Sequence, residues 1–211
     1  ADDPSRDYRV LVARGYNDVA SAYNDARAQD DARALTPLLA RLPAGARVLD
    51  LGCGAGVPVA RALAAKFDVV GLELSASQLA LARTQAPGVA LIRGDMTTCA
   101  FAPASFDAVV SFYAIFHLPR EQHEALFARI ASWLRPGGWL LATLAVRDEA
   151  AYTEEFFGAE MYWSNYGMRT YRAMLDGCGF DVLAESVLSH GYGDDAAAKP
   201  ESHPVVLAQR R

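Results

Sequence analysis

From Arg47 onward, short apolar runs of strand length alternate along the chain with amphipathic segments of helical period. The five runs are "RVLDL", "FDVVGLEL", "GVALIRGD", "FDAVVSFYA" and "WLLATLAV". Each run is continuously apolar, which is typical of strands in a sheet that is covered on both faces. Strands that alternate with helices form parallel, right-handed crossovers. The pattern therefore predicts an α/β fold with a doubly wound, mostly parallel sheet.

The intervening segments predict helices at Pro58–Lys66, at Ser77–Gln85 behind an N-cap at Ser75, and at Glu121–Leu134. Before the first run, the polar stretch 7–42 carries recurring apolar positions and predicts about two helices. After Val146 comes a long aromatic connection, 147–167, followed by a helix in "RTYRAMLDGCG". Two closing strands, "FDVLAESVL" and "HPVVLAQRR", flank a loop with the sequence "GYGDDAAAKPES". This organisation divides the chain into an N-terminal helical cap, 1–42, and a main domain, 43–211.

Composition narrows the class of protein. The chain has 211 residues, 52% of them hydrophobic and 21% charged, and a formal net charge of −5. This acidic balance argues against a nucleic-acid partner. Three cysteines without paired spacing indicate neither a disulfide framework nor a zinc site, which favours a reducing, cytoplasmic location. The polar N-terminal stretch lacks the apolar core of a secretory signal, and no apolar run reaches the roughly 18 residues of a membrane span.

The stretch "VLDLGCGAGVPVA", residues 48–60, predicts a strand, a glycine-rich turn and the start of a helix. Glycines at 52, 54 and 56 let the backbone turn sharply and approach a ligand. A dinucleotide-binding loop requires its third glycine where this chain has Val57. Asp50 would also repel a pyrophosphate but would suit a cationic ligand. The loop is therefore expected to bind something other than a dinucleotide.

Acidic residues end the next two strands. Glu73 follows Gly52 by 21 residues, where a carboxylate accepts hydrogen bonds from ribose hydroxyls. In "GDM", Asp95 is placed to accept from an adenine amino group, and the Met96 N–H to donate to a ring nitrogen. A second interpretation of Asp95 is a turn residue, because Asp favours turns.

These motifs, with "FDAVVSFYAIFHLP" and "LRPGGWLL", closely resemble the class I S-adenosylmethionine (SAM)-dependent methyltransferases that act mostly on small molecules. The resemblance covers about residues 16–209 and implies a Rossmann-like sheet of seven strands with an antiparallel last strand. It also implies the residues that hold SAM. Asp50 and the Phe112 carbonyl would bind the methionine amino group, while Leu74 would pack on the adenine. The whole implied set is Tyr16, Tyr23, Asp50, Gly52, Cys53, Gly54, Glu73, Leu74, Gln78, Asp95, Met96 and Phe112.

Candidate catalytic residues lie in "SFYAIFHLP", after the fourth strand. His117 is of the type that deprotonates a hydroxyl or amine near neutral pH. An equally simple interpretation is a structural histidine that binds backbone. Tyr113 is a candidate to line the pocket and face the sulfonium. Its alternative is packing in the core.

Two aromatic segments are predicted to cover the site. Tyr16 and Tyr23, seven residues apart, share one helical face, and they either roof the cofactor or pack the helix onto the domain. The connection 147–167 is interpreted as a substrate cap, with a dimer interface as the alternative. Its pocket candidates are Tyr152, Phe157, Met161, Tyr162 and Trp163. A cap of this kind predicts an apolar or aromatic methyl acceptor.

The leading hypothesis is thus a SAM-dependent methyltransferase (EC 2.1.1) that methylates a small molecule by in-line displacement, as a monomer or homodimer. The segments that supply magnesium ligands or amino-methylation motifs in some relatives of the family are absent, so no metal is expected. Alternatives are a SAM-binding regulator or inactive subunit, a protein or RNA methyltransferase, and, least favoured, a nicotinamide oxidoreductase.

Overall fold

A computed structural model of the chain describes residues 7–27, 32–145, 147–190 and 201–211. Within these ranges the α-helices are α1 (Tyr8–Ala26), α2 (Thr36–Leu39), α3 (Val59–Ala64), α4 (Ala76–Gln85), α5 (His123–Trp133) and α6 (Met168–Gly177). The strands are β1 (Arg47–Leu51), β2 (Asp68–Glu73), β3 (Ala90–Arg93), β4 (Phe106–Ser111), β5 (Leu134–Thr143), β6 (Glu149–Phe156), β7 (Ala159–Asn165), β8 (Phe180–His190) and β9 (Glu201–Arg210). Short 3₁₀ turns lie at Arg33–Leu35, Ile115–His117 and Arg120–Gln122.

Seven strands form one sheet in the order β3-β2-β1-β4-β5-β9-β8. The pairs β1–β2, β2–β3, β1–β4 and β4–β5 are parallel, whereas β9 runs antiparallel to both β5 and β8. Strand order reverses direction between β1 and β4, and ligands bind at such a switch point in doubly wound sheets. The predicted Rossmann-like sheet with an antiparallel last strand is confirmed.

The central strands are largely apolar because their successive side chains enter two different cores. Leu49 and Leu51 of β1 pack in a cluster that also contains side chains of α5 and α6. Val48 points the other way, into a cluster with side chains of α2 and α3. Since successive strand residues face opposite sides of a sheet, a sheet covered by helices on both faces needs apolar residues at every position.

The N-terminal stretch forms the long helix α1, a 3₁₀ turn and the short α2, in place of two ordinary helices. Asp7 caps α1 by accepting a hydrogen bond from the Arg9 N–H. Ser75 caps α4 in the same way, accepting from the Gln78 N–H as expected.

Strand β5 starts earlier than the sequence indicated, because "RPGG" already belongs to it. The proposed division at residues 42 and 43 stays a prediction, and most of the loop between the closing strands lies outside the described residues.

The aromatic connection after β5 is an antiparallel hairpin of β6 and β7 rather than an irregular loop. Phe156 pairs with Ala159, so Phe157 and Gly158 make a two-residue turn, and both have positive φ (52° and 86°). That combination is typical of type I′ hairpin turns. The usual residue pair in such a turn is Asn-Gly or Asp-Gly, so the pair Phe157-Gly158 did not predict a hairpin.

Helix α1 packs closely against β7 at Gly15. A Cβ atom on Gly15 would lie 2.8 Å from the Met161 Cε atom and 3.1 Å from the Glu160 carbonyl oxygen. Met161 is fully buried beneath the helix. Glycine therefore sets the distance between α1 and the hairpin.

Gly15→Val is expected to lower the free energy of unfolding by about 1–3 kcal/mol, because the branched side chain overpacks this contact. Amide hydrogen exchange across Tyr8–Ala26 should accelerate at the same time. Ala22→Val on the exposed side of α1 is the matched control, with an expected loss under about 0.7 kcal/mol from helix propensity alone. Equal losses in both variants would contradict a special role for Gly15.

Candidate active site

A cavity opens at the carboxyl ends of β1, β2 and β4, and α1 forms its roof. The space free of protein atoms, including its opening to solvent, is about 1030 Å³. Every residue of the implied cofactor set lines it, together with both catalytic candidates: Tyr16, Tyr23, Asp50, Gly52, Cys53, Gly54, Glu73, Leu74, Gln78, Asp95, Met96, Phe112, Tyr113 and His117. The structure thus brings residues from five stretches of the chain to one place.

The glycine turn forms the floor of the cavity. Gly52 and Gly54 have φ angles of +76° and +53°, which residues with a Cβ rarely adopt. A Cβ on Gly52 would also lie 2.4 Å from the Ala114 Cβ atom. The N–H groups of Gly52 and Cys53 donate to the Leu72 carbonyl at 2.8 and 3.1 Å. These bonds hold the turn against β2.

Glu73 joins the glycine turn to the start of α4. Its Oε2 atom accepts the Gly54 N–H at 3.0 Å, and its Oε1 atom accepts the Ser75 N–H at 2.8 Å. Burial nevertheless raises the pKa of this carboxyl, and the backbone hydrogen bonds oppose that rise. Each carboxylate oxygen has a second lone pair, so Glu73 retains capacity to accept ligand hydroxyls.

Asp50 is a second buried acid of the site. It is 2% exposed, and its Oδ2 atom has no hydrogen-bond partner within the described part of the chain. Burial, and secondarily the charge of Glu73, raises the pKa of Asp50 to about 7. A buried carboxylate without a partner is costly. This arrangement suits a cationic donor in the cavity.

Gln78 offers a second set of buried polar atoms. It is 1% exposed and lies in the first turn of α4. Neither its amide oxygen nor its amide nitrogen has a partner among the described residues. Because buried polar groups are nearly always hydrogen-bonded, Gln78 and Asp50 together indicate that a polar ligand belongs in this cavity.

Asp95 is held by donors that sequence reasoning missed. Its Oδ2 atom accepts from Arg9 Nε at 2.7 Å, and its Oδ1 atom accepts from the N–H and the hydroxyl of Thr97, each at 2.8 Å. An ionised carboxylate has about four acceptor positions. One further donor, such as an amino group, can therefore bind to this fixed side chain.

Further polar contacts fasten α1 over the cavity. Asn17 Oδ1 accepts from the Ser75 hydroxyl at 2.7 Å and from the Ser77 N–H at 3.1 Å. Asn24 Oδ1 accepts from Gln85 Nε2 at 3.0 Å. The roof also contributes Tyr8, Asn24 and Arg27 to the cavity wall. No motif spacing reveals Asn17 and Asn24, since their partners lie 58 to 61 positions away in sequence.

His117 has a defined tautomer. Its Nδ1 atom lies 2.8 Å from the Tyr162 carbonyl oxygen, which can only accept, so Nδ1 carries the proton. The Nε2 atom then presents a lone pair, and the Tyr16 hydroxyl, 2.8 Å away, donates to it. One nitrogen thus binds backbone, as the structural interpretation expects, whereas a role of the other nitrogen as a base stays a prediction.

Tyr113 lies in a strained backbone position next to this pair. Its φ of +55° is uncommon for a residue with a side chain. The Tyr113 N–H donates to the Thr143 hydroxyl at 2.6 Å, which supports this conformation. Its ring lines the cavity, and the centre of the Arg27 guanidinium lies 4.7 Å from the ring centroid. A role opposite a sulfonium stays a prediction.

The five hairpin residues assigned to a substrate pocket do not line this cavity. Met161 lies under α1, and the Tyr152 ring stacks on Trp163 with centroids 5.8 Å apart. The Phe157 ring packs against Tyr23, whereas the Tyr162 ring approaches Tyr8. Trp163 lies 5.6 Å from the His117 ring, between centroids. The hairpin therefore supports the roof and His117 from outside, and its contact with an acceptor stays a prediction.

Among the described helices, none combines the length and apolar character that crossing a bilayer requires. The same described residues contain no group of three or more His, Cys, Asp or Glu side chains placed to share a metal ion. That the protein works without a metal, in the cytoplasm, and as a monomer or homodimer remains a set of predictions.

Comparison with known proteins supplies independent information. A family model described as "Methyltransferase domain" matches residues 48–138. Phosphoethanolamine N-methyltransferase 1 of Triticum aestivum is 34% identical over 153 residues, which are 68% of this chain. The chain spans only 30% of the length of that relative.

A relative of similar size is the trans-aconitate 2-methyltransferase of Deinococcus radiodurans, 38% identical over 193 residues, with 88% of this chain and 72% of the relative covered. Magnesium protoporphyrin IX methyltransferase of Synechocystis PCC 6803, solved with bound SAM, has a similar fold, with a TM-score of 0.75 and 17% sequence identity. The superposition covers 99% of this chain and 100% of that protein. The chain belongs to the class I SAM-dependent methyltransferase family.

Proposed function

We propose that this protein is a SAM-dependent methyltransferase that acts on a small molecule. The observation that carries the proposal is the shared cavity, in which every residue of the implied cofactor set meets the two catalytic candidates. The unpartnered oxygen of Asp50 and the unpartnered amide of Gln78 fit a polar, cationic ligand. The same buried acids disfavour the pyrophosphate of a dinucleotide, as does Val57 at the position of the third glycine.

The residues present fit each part of SAM. Asp50 would accept from the methionine ammonium, and Glu73 would accept from the ribose hydroxyls. Asp95, fixed by Arg9 and Thr97, would accept from the adenine amino group. When bound, SAM supplies a methyl group on a cationic sulfur that an acceptor lone pair displaces in line. The chain's contribution is to orient both reactants beneath α1 and to exclude water.

Tyr16 and His117 form a path for a proton that leaves the acceptor. His117 Nε2 accepts from the Tyr16 hydroxyl, so an acceptor that binds next to Tyr16 can pass a proton to Nε2 through the Tyr16 oxygen. As the acceptor's proton moves to the Tyr16 oxygen, the Tyr16 proton moves to Nε2. Because the Tyr162 carbonyl accepts from Nδ1, it stabilises the imidazolium that results.

The acceptor class remains the open part of the proposal. The apolar or aromatic acceptor expected from the sequence stays a prediction, because the hairpin residues on which it rested do not line the cavity. The names of the relatives favour small polar acids and amines, since phosphoethanolamine and trans-aconitate are their acceptors by name. A SAM-binding regulator and a protein or RNA methyltransferase are the alternative functions.

Transfer of tritium from methyl-labelled SAM tests the proposed function. The acceptor panel contains phosphoethanolamine, trans-aconitate, simple phenols, bulk protein and bulk RNA. Label is expected only in small-molecule products. Label in protein or RNA would contradict the small-molecule assignment, and firm SAM binding without transfer to any acceptor would favour a regulator.

Asp50→Asn is expected to weaken binding of S-adenosylhomocysteine (SAH) by roughly 10-fold or more in calorimetry, since a charge-assisted hydrogen bond is lost. Asp68→Asn, at the start of β2 and 66% exposed at its side chain, is the control that should bind normally. Unchanged SAH affinity in Asp50→Asn would contradict the ammonium assignment.

The same variant should alter the pH dependence of stability in the unliganded protein. An unfolded Asp loses its proton near about pH 4, whereas the folded Asp50 keeps it up to about 7. The folded state therefore loses the stability that this proton supplies as pH rises through that window. The melting temperature of Asp50→Asn relative to wild type should rise between about pH 4 and 7 and level off above. A pH-independent difference would show that Asp50 has an ordinary pKa.

Tyr16→Phe and His117→Ala are each expected to lower kcat by roughly 10²-fold for an acceptor that must lose a proton. Tyr16→Phe keeps the ring packing against Tyr23 and Phe156 and removes only the hydroxyl. The affinity for SAH should change little in this variant. A kcat within about twofold of wild type would mean that positioning alone carries the reaction.

A further inference from the structure

The short segment from His117 to Arg120 is bound to strand β7 at both of its ends. At the first end, His117 Nδ1 donates to the Tyr162 carbonyl at 2.8 Å. At the second end, the Arg120 N–H donates to the Ser164 hydroxyl at 3.1 Å. Tyr162 and Ser164 are two positions apart in β7, and Ser164 is fully buried. One strand of the hairpin therefore holds the histidine and the arginine together.

The Arg120 side chain adds bonds to the same end of the hairpin. Its Nη1 atom donates to Asp148 Oδ1 at 2.8 Å and to the Asn165 carbonyl at 3.3 Å. The guanidinium carbon lies 4.7 Å from the Tyr166 ring centroid, within the range of a cation–π contact. Since Asp148 directly precedes β6 and Asn165 ends β7, this one side chain binds the chain next to both strands.

The two residues between His117 and Arg120 make a stiff connection. Leu118 has an extended backbone, with φ −96° and ψ 151°, as the residue before a proline normally does. The ring of Pro119 restricts its own φ, which is −52°. A displacement of Arg120 is therefore transmitted to His117, because little of it can be absorbed between them.

We propose that Arg120 is a positioning residue for His117. By binding the segment 117–120 to the hairpin, it keeps His117 Nδ1 on the Tyr162 carbonyl and Nε2 directed at the Tyr16 hydroxyl. The inference rests on the proposed function, in which Nε2 receives the proton that leaves the acceptor. Arg120 does not line the cavity, so it acts through His117. The aromatic hairpin then serves as the support of the proton-accepting group.

A double-mutant cycle tests the inference, with the acceptor of the panel above that receives most tritium. Arg120→Met keeps the aliphatic stem without the guanidinium. It should lower kcat by roughly 10-fold, because His117 is displaced, and leave KM and SAH affinity within about twofold of wild type. In a His117→Ala background, the same substitution should change kcat by less than about twofold, because the group that Arg120 positions is gone.

Arg172→Met is the matched control. Arg172 forms an ion pair with Glu185, and its side chain is 53% exposed. Because it has no printed bond to the hairpin or to the segment 117–120, kcat should stay at the wild-type value in this variant.

The tautomer of His117 gives a second readout, which needs no turnover. With ¹⁵N-labelled histidine in alkaline buffer, where the ring is neutral, two-bond ¹H–¹⁵N spectra should show the Nδ1–H form in wild type. Arg120→Met should show both tautomers, and His117→Ala identifies the signals. Ser164→Ala, which removes the bond to the Arg120 N–H, should give the same mixture. This second variant keeps the test decisive if Arg120→Met does not fold.

Three results would overturn the inference. Unchanged kcat in Arg120→Met would remove Arg120 from any role in the reaction. Equal kcat losses in the wild-type and His117→Ala backgrounds would mean that Arg120 only stabilises the fold. A pure Nδ1–H tautomer in Arg120→Met and Ser164→Ala would mean that His117 is oriented without them. If the wild-type protein methylates no acceptor, the proposed function itself fails, whereas the tautomer spectra still decide whether Arg120 orients His117.

Discussion

The burial of two carboxylates at the carboxyl edge of the sheet is the constraint on which the site depends. Glu73 offsets the energetic cost of its burial by accepting hydrogen bonds from two backbone N–H groups. These bonds connect the glycine turn to the start of α4. Among the described residues, Asp50 has no hydrogen-bond partner at Oδ2, and its burial raises its pKa. The fold thus keeps an unsatisfied acid at its ligand edge, a cost that a bound cation relieves.

Helix α1 turns this edge into an enclosed cavity. It forms hydrogen bonds to Asp95, Ser75 and His117 of the main domain, and two of these residues, Asp95 and His117, also line the cavity. The β6–β7 hairpin packs on its other side, where Gly15 allows close approach to Met161. Cofactor binding and roof placement are therefore expected to be coupled, because the same side chains serve both.

The sequence predicted the sheet well, because the buried strands are largely apolar on both faces and helix α4 begins at a recognisable cap, Ser75. It also predicted the cavity floor, where Gly52, Asp50 and Glu73 lie next to their strands. The contacts of α1 with the main domain could not be predicted from the sequence. Arg9 and Asp95, for example, are 86 residues apart, and nothing in their local spacing links them. The hairpin was missed because Phe157-Gly158 is an unusual turn pair, and the orientation of its aromatic rings toward α1 depends on that turn.

The central claim is that the cavity beneath α1 binds SAM rather than a dinucleotide. Isothermal titration calorimetry of the wild-type chain with SAH and, separately, with NADH tests it most directly. We predict one SAH site per chain and no heat of binding from NADH. Saturable NADH binding together with no SAH binding would contradict it.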